Sequence, residues 1–509
     1  MLLLALILTA RAEVAPERID ADTTFTLASS PWQVLTDLTV SAGATLTLEP
    51  GVVVELDPGV SVLVEGALVA RGAEGAPVTF TRPGDDAGEE FWGSITFSAG
   101  SEPAVFEQVE TWVSGSVLER CELRYGQRAV QLLGGSPLIR ACTFEDNVWE
   151  PDSGLSEGGA AIFAAEGSRA RIEGCTFTDN AVGGWGYGGA IQVQGADPVI
   201  LGNVFTGNTS AYGAALSVEI SQSPVVGNRF EGNDSAGKGG AVSLVSAAGA
   251  FFANEITGNH SLLDGGGVHI CTDCNPHAAP WVADCVISGN SSASGAAGFG
   301  AAWLRGFSWN DIHDNLRGDD PVDFVWTHEV PAEDPTWVHS PDLPWNWWGT
   351  TDLEVVGEHV EDGVDEDGWG LVGLAPVAEG PIAAPTPRAV VTTPEFRYSG
   401  AGGALPMNLT IYNPAEARAL RLSLLVRVGE GPIVPWRQDP GLPDLVPDGD
   451  GFLISMPADS LLFATLTAPV LPEGPVPPTV TWIAALHDAD TGALLSEPLA
   501  TPVLLGGAQ

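Results

Sequence analysis

The chain has 509 residues, long for a single globular core, and 65 acidic against 20 basic residues give it a formal charge of −45. Such a field repels nucleic acid and polyanionic surfaces, which excludes nucleic-acid binding, and it keeps a long exposed surface soluble. The length suggests one elongated repeat domain followed by a second unit.

The chain opens with MLLLALILTARA, an apolar run ending in Ala10-Arg11-Ala12. This fits a signal peptide over residues 1–12 better than a membrane span, and no later apolar stretch is long enough to be one. Export is therefore expected, to a secreted, periplasmic or outer-surface location.

Residues 13–379 are dominated by a repeat. The element CTFEDN ends at Asn147, CTFTDN at Asn180, NVFTGN at Asn208, NRFEGN at Asn233, NEITGN at Asn259, CVISGN at Asn290 and WNDIHDN at Asn315, in steps of 33, 28, 25, 26, 31 and 25 residues. A period of this size signals a solenoid whose units bury their apolar faces only against their neighbours. The repeat is rich in Val, Ile, Thr and Gly and lacks a 3.6-residue period, so the units read as strands and tight corners. The fold class is all-β.

Within a unit, an apolar residue (Ile139, Ile172, Ile200, Val225, Phe251, Val282) precedes by three a Cys or Asn (Cys142, Cys175, Asn203, Asn228, Asn254, Cys285). Two residues later comes Phe144, Phe177, Phe205, Phe230, Ile256 or Ile287. Stacked at about 4.8 Å per strand, these predict an inward amide ladder and an aromatic column. An Asn inside an apolar core requires such a ladder to satisfy it. GGA-type pairs at 158, 188, 213, 239 and 265 mark corners, and prolines at 137, 198, 224 and 280 mark strand starts.

After a linker-like GPIAAPTPRAVVTTP at 380–394, residues 395–509 hold short strand-like runs (MNLTIYN, LRLSLLVRV, LLFATLT, TVTWIAAL) between Pro, Gly and Asp turns. A small β-sandwich of immunoglobulin or fibronectin-III type is expected there, to dock, anchor or bind.

The pairing of GGA[ILV] with FxxN resembles the repeat of polymorphic outer membrane proteins, within the right-handed parallel β-helix, pectate-lyase-like superfamily. LTVSAGATLTLEPGVVVELDPGVSVLVEGALVARG from Leu38 looks like an N-terminal cap with first rungs, and PWNWWGTTD at 344 and EDGVDEDGWGLVG at 361 look like last rungs. The resemblance implies a right-handed parallel β-helix followed by the sandwich. It does not choose an activity, since the superfamily holds lyases, hydrolases, epimerases and adhesins. The Gly-His-Gly, Arg-x-Lys and Arg-x-Pro-x-x-Arg strings of its pectin-degrading members do not occur in this sequence, nor do residues 395–509 resemble the membrane barrel that ends its adhesins.

Candidate chemistry is sparse. Trp149, Trp185, Tyr187 and Tyr212 fall in loops between the repeat Asn and the next glycine pair, where they could form a strip that stacks on sugar rings or anchors a protein partner, or fold onto the adjacent rung. Asp362, Asp365, Glu366 and Asp367 could hold Ca²⁺, or belong to the closing rung. Cys271 and Cys274, in the insertion CTDCNPH, could pin a loop by a disulfide or join His277 around zinc. Cys121, Cys142, Cys175 and Cys285 are expected as buried thiols standing in for Asn, although Cys121 and Cys142 could pair. Trp345, Trp347 and Trp348 are expected to be buried closing packing, His313 an outward turn residue, and Arg317-Gly318-Asp319 a chance integrin-type tripeptide. The favoured function is a monomeric, non-catalytic adhesive, glycan-binding or structural protein. The alternative is a lyase or glycoside hydrolase acting on a neutral glycan, since anionic chains would meet the acidic surface.

Overall fold

The computed structural model describes residues 12–84, 90–107, 111–151, 157–271, 279–301, 304–327, 343–362, 372–382, 385–392, 397–398, 406–414, 418–428, 434–435, 446–448, 451–457, 460–467, 479–496 and 498–505. The expected signal peptide lies outside the described residues, apart from its last position.

Apart from two short antiparallel pairs, Val105–Glu107 with Thr111–Ser114 and Leu316–Arg317 with Asp320–Pro321, the described solenoid strands pair with their counterparts one coil on. The result is three long sheets of 12, 13 and 11 strands and a shorter fourth of 8. One coil runs Arg171–Glu173 (sheet 3), Thr176–Thr178 (sheet 1), Ala181–Val182 (sheet 4) and Ile191–Gln194 (sheet 2), then returns to sheet 3 at Val199–Leu201. Every pairing along this path is parallel and in register, with Ile172 opposite Ile200, Phe177 opposite Phe205 and Ile191 opposite Leu216. This is a parallel β-helix. Coils begin as early as Glu13–Val14, and a short helix, Leu353–Glu358, precedes the last sheet 2 strand, Val360–Glu361.

The interior is built as the spacing requires. Phe144, Phe177, Phe205 and Phe230 are fully buried and stack face to face with centroids 4.9, 4.8 and 4.7 Å apart, the spacing of the coils. Two polar ladders flank this column rather than the one expected. At the Cys/Asn position, the amide of Cys175 donates to Asn203 Oδ1 at 2.9 Å, that of Asn203 to Asn228 and that of Asn228 to Asn254. Cys121, Cys142, Cys175 and Cys285 are free and buried in this row, and burial pushes the Cys285 thiol up to about 12.

The second ladder is the closing Asn of FxxN. From Asn147 to Asn315 each backbone N–H donates to the next coil's Asn Oδ1 at 3.0–3.2 Å or slightly less, and each Nδ2 donates to the same oxygen at 2.9–3.0 Å. The other Nδ2 hydrogen goes to a carbonyl of the preceding coil, as from Asn208 to Phe177 O. At the far end the acceptor is the carboxylate of Asp323, fully buried, whose second oxygen sits 3.0 Å from His359 Nδ1. That carboxylate raises the His359 pKa above its ordinary value.

Residues 388–505 form the second unit. A three-stranded sheet (Arg388–Thr392, Pro406–Asn413, Ser460–Thr467) packs Met407, Leu409 and Ile411 on Leu420, Leu422, Leu424 and Leu486 of a larger antiparallel sheet, giving a sandwich. The stretch read as linker thus supplies an edge strand, Arg388–Thr392.

The sandwich docks on sheet 3. One outward row of that sheet changes character along the axis, from Arg71, Glu119, Arg140 and Glu173 to Leu201, Val226, Phe252 and Ala283. The first half carries ion pairs such as Arg71–Glu119 at 2.8 Å, while the second is covered by Val390, Tyr412, Leu461 and Leu499. A bidentate pair, Arg388 to Asp284 at 2.7 and 3.0 Å with 3% and 2% side-chain exposure, closes the contact.

Asn208→Ala removes the acceptor of two Asn180 donors and the donor to Phe177 O. Urea unfolding should show a loss of about 3–5 kcal/mol, because buried groups are left unpaired. Thr206→Ala, outward on the same coil, should stay within about 0.5 kcal/mol.

Candidate functional site

Between sheet 4 and sheet 2 the chain turns on a glycine pair. Gly188 has φ +59°, and a side chain at Gly189 would lie 2.2 Å from the Ala214 carbonyl of the next coil, so neither position admits another residue readily. This close stacking brings the preceding residues into line. Gly188 N donates to Tyr212 O at 2.8 Å and Tyr212 N to Gly186 O at 3.1 Å, which lays the Tyr187 and Tyr212 rings face to face, centroids 4.8 Å apart and planes 21° apart. Both tyrosines are half-buried. Trp185, at the tip of the corner, lies 6.4 Å from Tyr212 and is 68% exposed.

Beside this cluster a groove of about 370 Å³ crosses sheet 4, lined among others by Val182, Gly184, Thr209, Asp234, His260 and Leu262. It offers hydroxyl, carboxylate and imidazole groups next to apolar surface, with Leu262 and Leu263 exposed on its continuation. An exposed indole beside a polar groove on rigid coils is suited to stacking on a ring while hydrogen-bonding its hydroxyls. Asp234, His260 and Leu262 were not singled out from the sequence; Asp234 and His260 directly follow the repeat Asn, where Val148 and Ala181 stand in earlier coils, and Leu262 comes three residues after it.

Trp149 does not join the strip. It sits in a sheet 4 strand opposite Val182, not Tyr187, and the Arg128 guanidinium lies over its ring at 4.0 Å. Sharing that loop does not place Trp149 at the same point of the corner, because the connection from Asn147 to Gly158 is 11 residues against 8 from Asn180 to Gly188.

Under the corner, the outer face of sheet 2 carries an in-register polar row, Gln192, Ser217, Ser243 and His269, all buried. Gln192 Nε2 and Ser217 Oγ donate to Glu219 Oε1 at 3.0 and 3.3 Å, and burial holds that carboxyl above its usual pKa. His269 is 4% exposed, with the Asp264 carboxylate 3.7 Å away and no hydrogen-bond partner on either ring nitrogen. Burial outweighs Asp264 and pushes its pKa down to about 4, so the imidazole is neutral at pH 7.

The remaining candidates scatter. Asp362 is buried and accepts from Val372 N at 2.7 Å; Asp365, Glu366 and Asp367 lie outside the described residues. Among the described residues no cluster of three His, Cys, Asp or Glu side chains is placed to hold a metal. Cys271 is disulfide-bonded, and Cys274 lies outside the described residues. Of the three closing tryptophans only Trp348 is buried; Trp347 is half-buried, and Trp345, in a turn with φ +62°, is 43% exposed. Arg317 is held bidentately by Glu361, which removes its guanidinium from an integrin-type role.

Residues 109–316 match the family model described as right handed beta helix region. The match spans the regular coils, including every residue of the aromatic corner, and the solenoid is a right-handed parallel β-helix. No curated protein matches the chain. Among the described residues no helix is long and apolar enough to cross a membrane.

The His269 site makes a pH prediction. The imidazole stays neutral in the fold down to about pH 4 but takes a proton near its ordinary 6.5 once unfolded, so its contribution to stability is intact above 6.5 and lost as pH falls toward 4. In urea titrations at pH 7 and 4.5, His269→Gln should lose less stability than the parent over that interval, by about 1–3 kcal/mol.

Proposed function

We propose that this chain is an exported or surface-displayed, non-catalytic β-helix protein that binds a neutral glycan at the Trp185–Tyr187–Tyr212 corner. The observation that carries this reading is Trp185, largely exposed yet beside a stacked tyrosine pair and a groove with four hydrogen-bonding side chains. The exposed indole and the tyrosine pair together present aromatic surface to a ring, and the corner's backbone ladder fixes the rings before any ligand arrives. The charge of −45 favours a neutral chain over a uronate polymer. The titratable groups beneath the corner, Glu219 and His269, are closed from solvent, which fits a supporting role better than acid–base work on a bound sugar. The resemblance of the repeat to polymorphic outer membrane proteins supports surface display, with adhesion as the outcome of binding.

The test is retention on immobilised neutral polysaccharides (glucan, xylan, galactomannan) and acidic ones (pectin, alginate). Binding to at least one neutral polymer is expected, weakened roughly tenfold by Trp185→Ala and by Tyr212→Ala. Retention unaffected by both substitutions would overturn the site. New reducing ends or unsaturated products would overturn the non-catalytic reading.

A further inference from the structure

Each coil places one residue in the left-handed backbone region immediately before the Cys/Asn ladder position. Gly174, Gly202 and Gly227 occupy it in three middle coils, and Arg120, Ala141 and Ala253 in three others. In three successive later coils, however, it is held by Asp284, Trp309 and Trp345, at φ +56°, +57° and +62°. The ladder confirms their adjacency: Cys285 N donates to Asn310 Oδ1 and Asn310 N to Asn346 Oδ1. Bulky side chains in this conformation carry backbone strain that glycine avoids, and strain of this kind gathers where a side chain is needed for something else.

Two of the three have a visible use. Asp284 forms the buried bidentate pair with Arg388 of the sandwich, and the guanidinium lies over the Trp309 ring at 4.3 Å. Trp345 takes no such part. It stands 43% exposed on the wall of a cavity of about 420 Å³ at the seam between the β-helix and the sandwich, lined among others by Asp284, Trp309, Thr386, Arg388 and Ser496. That volume is within the range of small-molecule sites, and domain seams are where such sites concentrate.

The cavity also leaves two hydrogen-bonding groups unanswered. Arg388 Nη1 and Thr386 Oγ1 are buried and have no partner, although the rest of the Arg388 guanidinium is fully engaged. Buried orphans on one cavity wall mark a place where an external group completes the bonding. The Asp284–Arg388 pair is neutral as a unit, so its field does not select an anion, and the nearby carboxylate opposes one. What fits is an uncharged ligand that accepts from an N–H, exchanges a bond with a hydroxyl and presents a ring face to an indole.

We propose that this seam is a second binding site, separate from the corner, for a neutral saccharide: a hydroxyl or ring oxygen accepts from Arg388 Nη1, a second hydroxyl bonds Thr386 Oγ1, and a sugar ring stacks on Trp345. Both orphan atoms are buried, so the ligand reaches them by displacing neighbouring side chains, and Trp345 is the exposed member of the lining. Because the site is made by both domains, a bound ligand also ties the sandwich to the coils.

Calorimetric titration of the full chain with xylotriose, mannotriose, cellotriose, chitotriose and trigalacturonate tests this, on a background carrying Trp185→Ala and Tyr212→Ala so that the corner is silent. At least one neutral trisaccharide should bind saturably, with Kd raised about tenfold or more by Trp345→Ala and roughly 3- to 10-fold by Thr386→Val. Circular dichroism melting of each variant, unchanged within a few degrees, separates lost binding from lost folding. No saturable binding by any neutral trisaccharide, binding of trigalacturonate alone, or affinity unaltered by both substitutions would overturn the proposal, whatever the corner does.

Discussion

Everything in this molecule is built on a primary amide that reaches from one coil to the next. An asparagine buried in an apolar solenoid is costly unless all its hydrogen-bonding groups are used, and the coil spacing allows that only when the same residue recurs at the same point of every turn. From Asn147 to Asn315 the condition is met: each Oδ1 takes the backbone N–H and the Nδ2 of the coil before it. A slip of one residue would strand several buried donors at once, so the ladder sets the register of all four sheets. At its end the row needs an acceptor with no donor of its own to spare. Asp323 supplies it, with His359 holding the second oxygen.

Once register is fixed this way, the outward positions are free to diverge, and they do so regionally. Sheet 3 shows this most plainly. Its outer row begins as alternating Arg and Glu joined in ion pairs and becomes Leu201, Val226 and Phe252 where the sandwich covers it. The docking is therefore prepared by the coils and closed by Arg388 and Asp284, whose bidentate, desolvated pairing specifies position more than it adds stability. The corners diverge as well, and exposed indoles stand at two of them, Trp185 and Trp345.

Much of the fold was legible because it is periodic. The spacing from Ile172 through Cys175 to Phe177 predicts inward, corner, inward, and the structure has that order in coil after coil. The terminal Asn of FxxN was visible too, but only as a marker for alignment; its bonding depends on the neighbouring coil and cannot be read from one repeat. Trp149 was misplaced for a related reason, since lying in the same loop does not fix which point of the corner a residue reaches. Arg388 and Asp284 are 104 residues apart, and nothing local links them. The signal that existed for the seam was the replacement of glycine by Asp, Trp and Trp at one corner position, which becomes conspicuous only after the coils are superimposed.

The account joins a rigid interior to variable corners and assigns ligand contact to the corners. Hydrogen–deuterium exchange of the full chain, with and without a saturating neutral oligosaccharide that it retains, tests that division directly. The ladder amides at 176–180 and 204–208 should be strongly protected and unchanged by ligand, while 183–187, 209–212 and 234–238 gain protection. Ligand-induced protection confined to the outer face of sheet 1, or none at the corner at saturation, would contradict it.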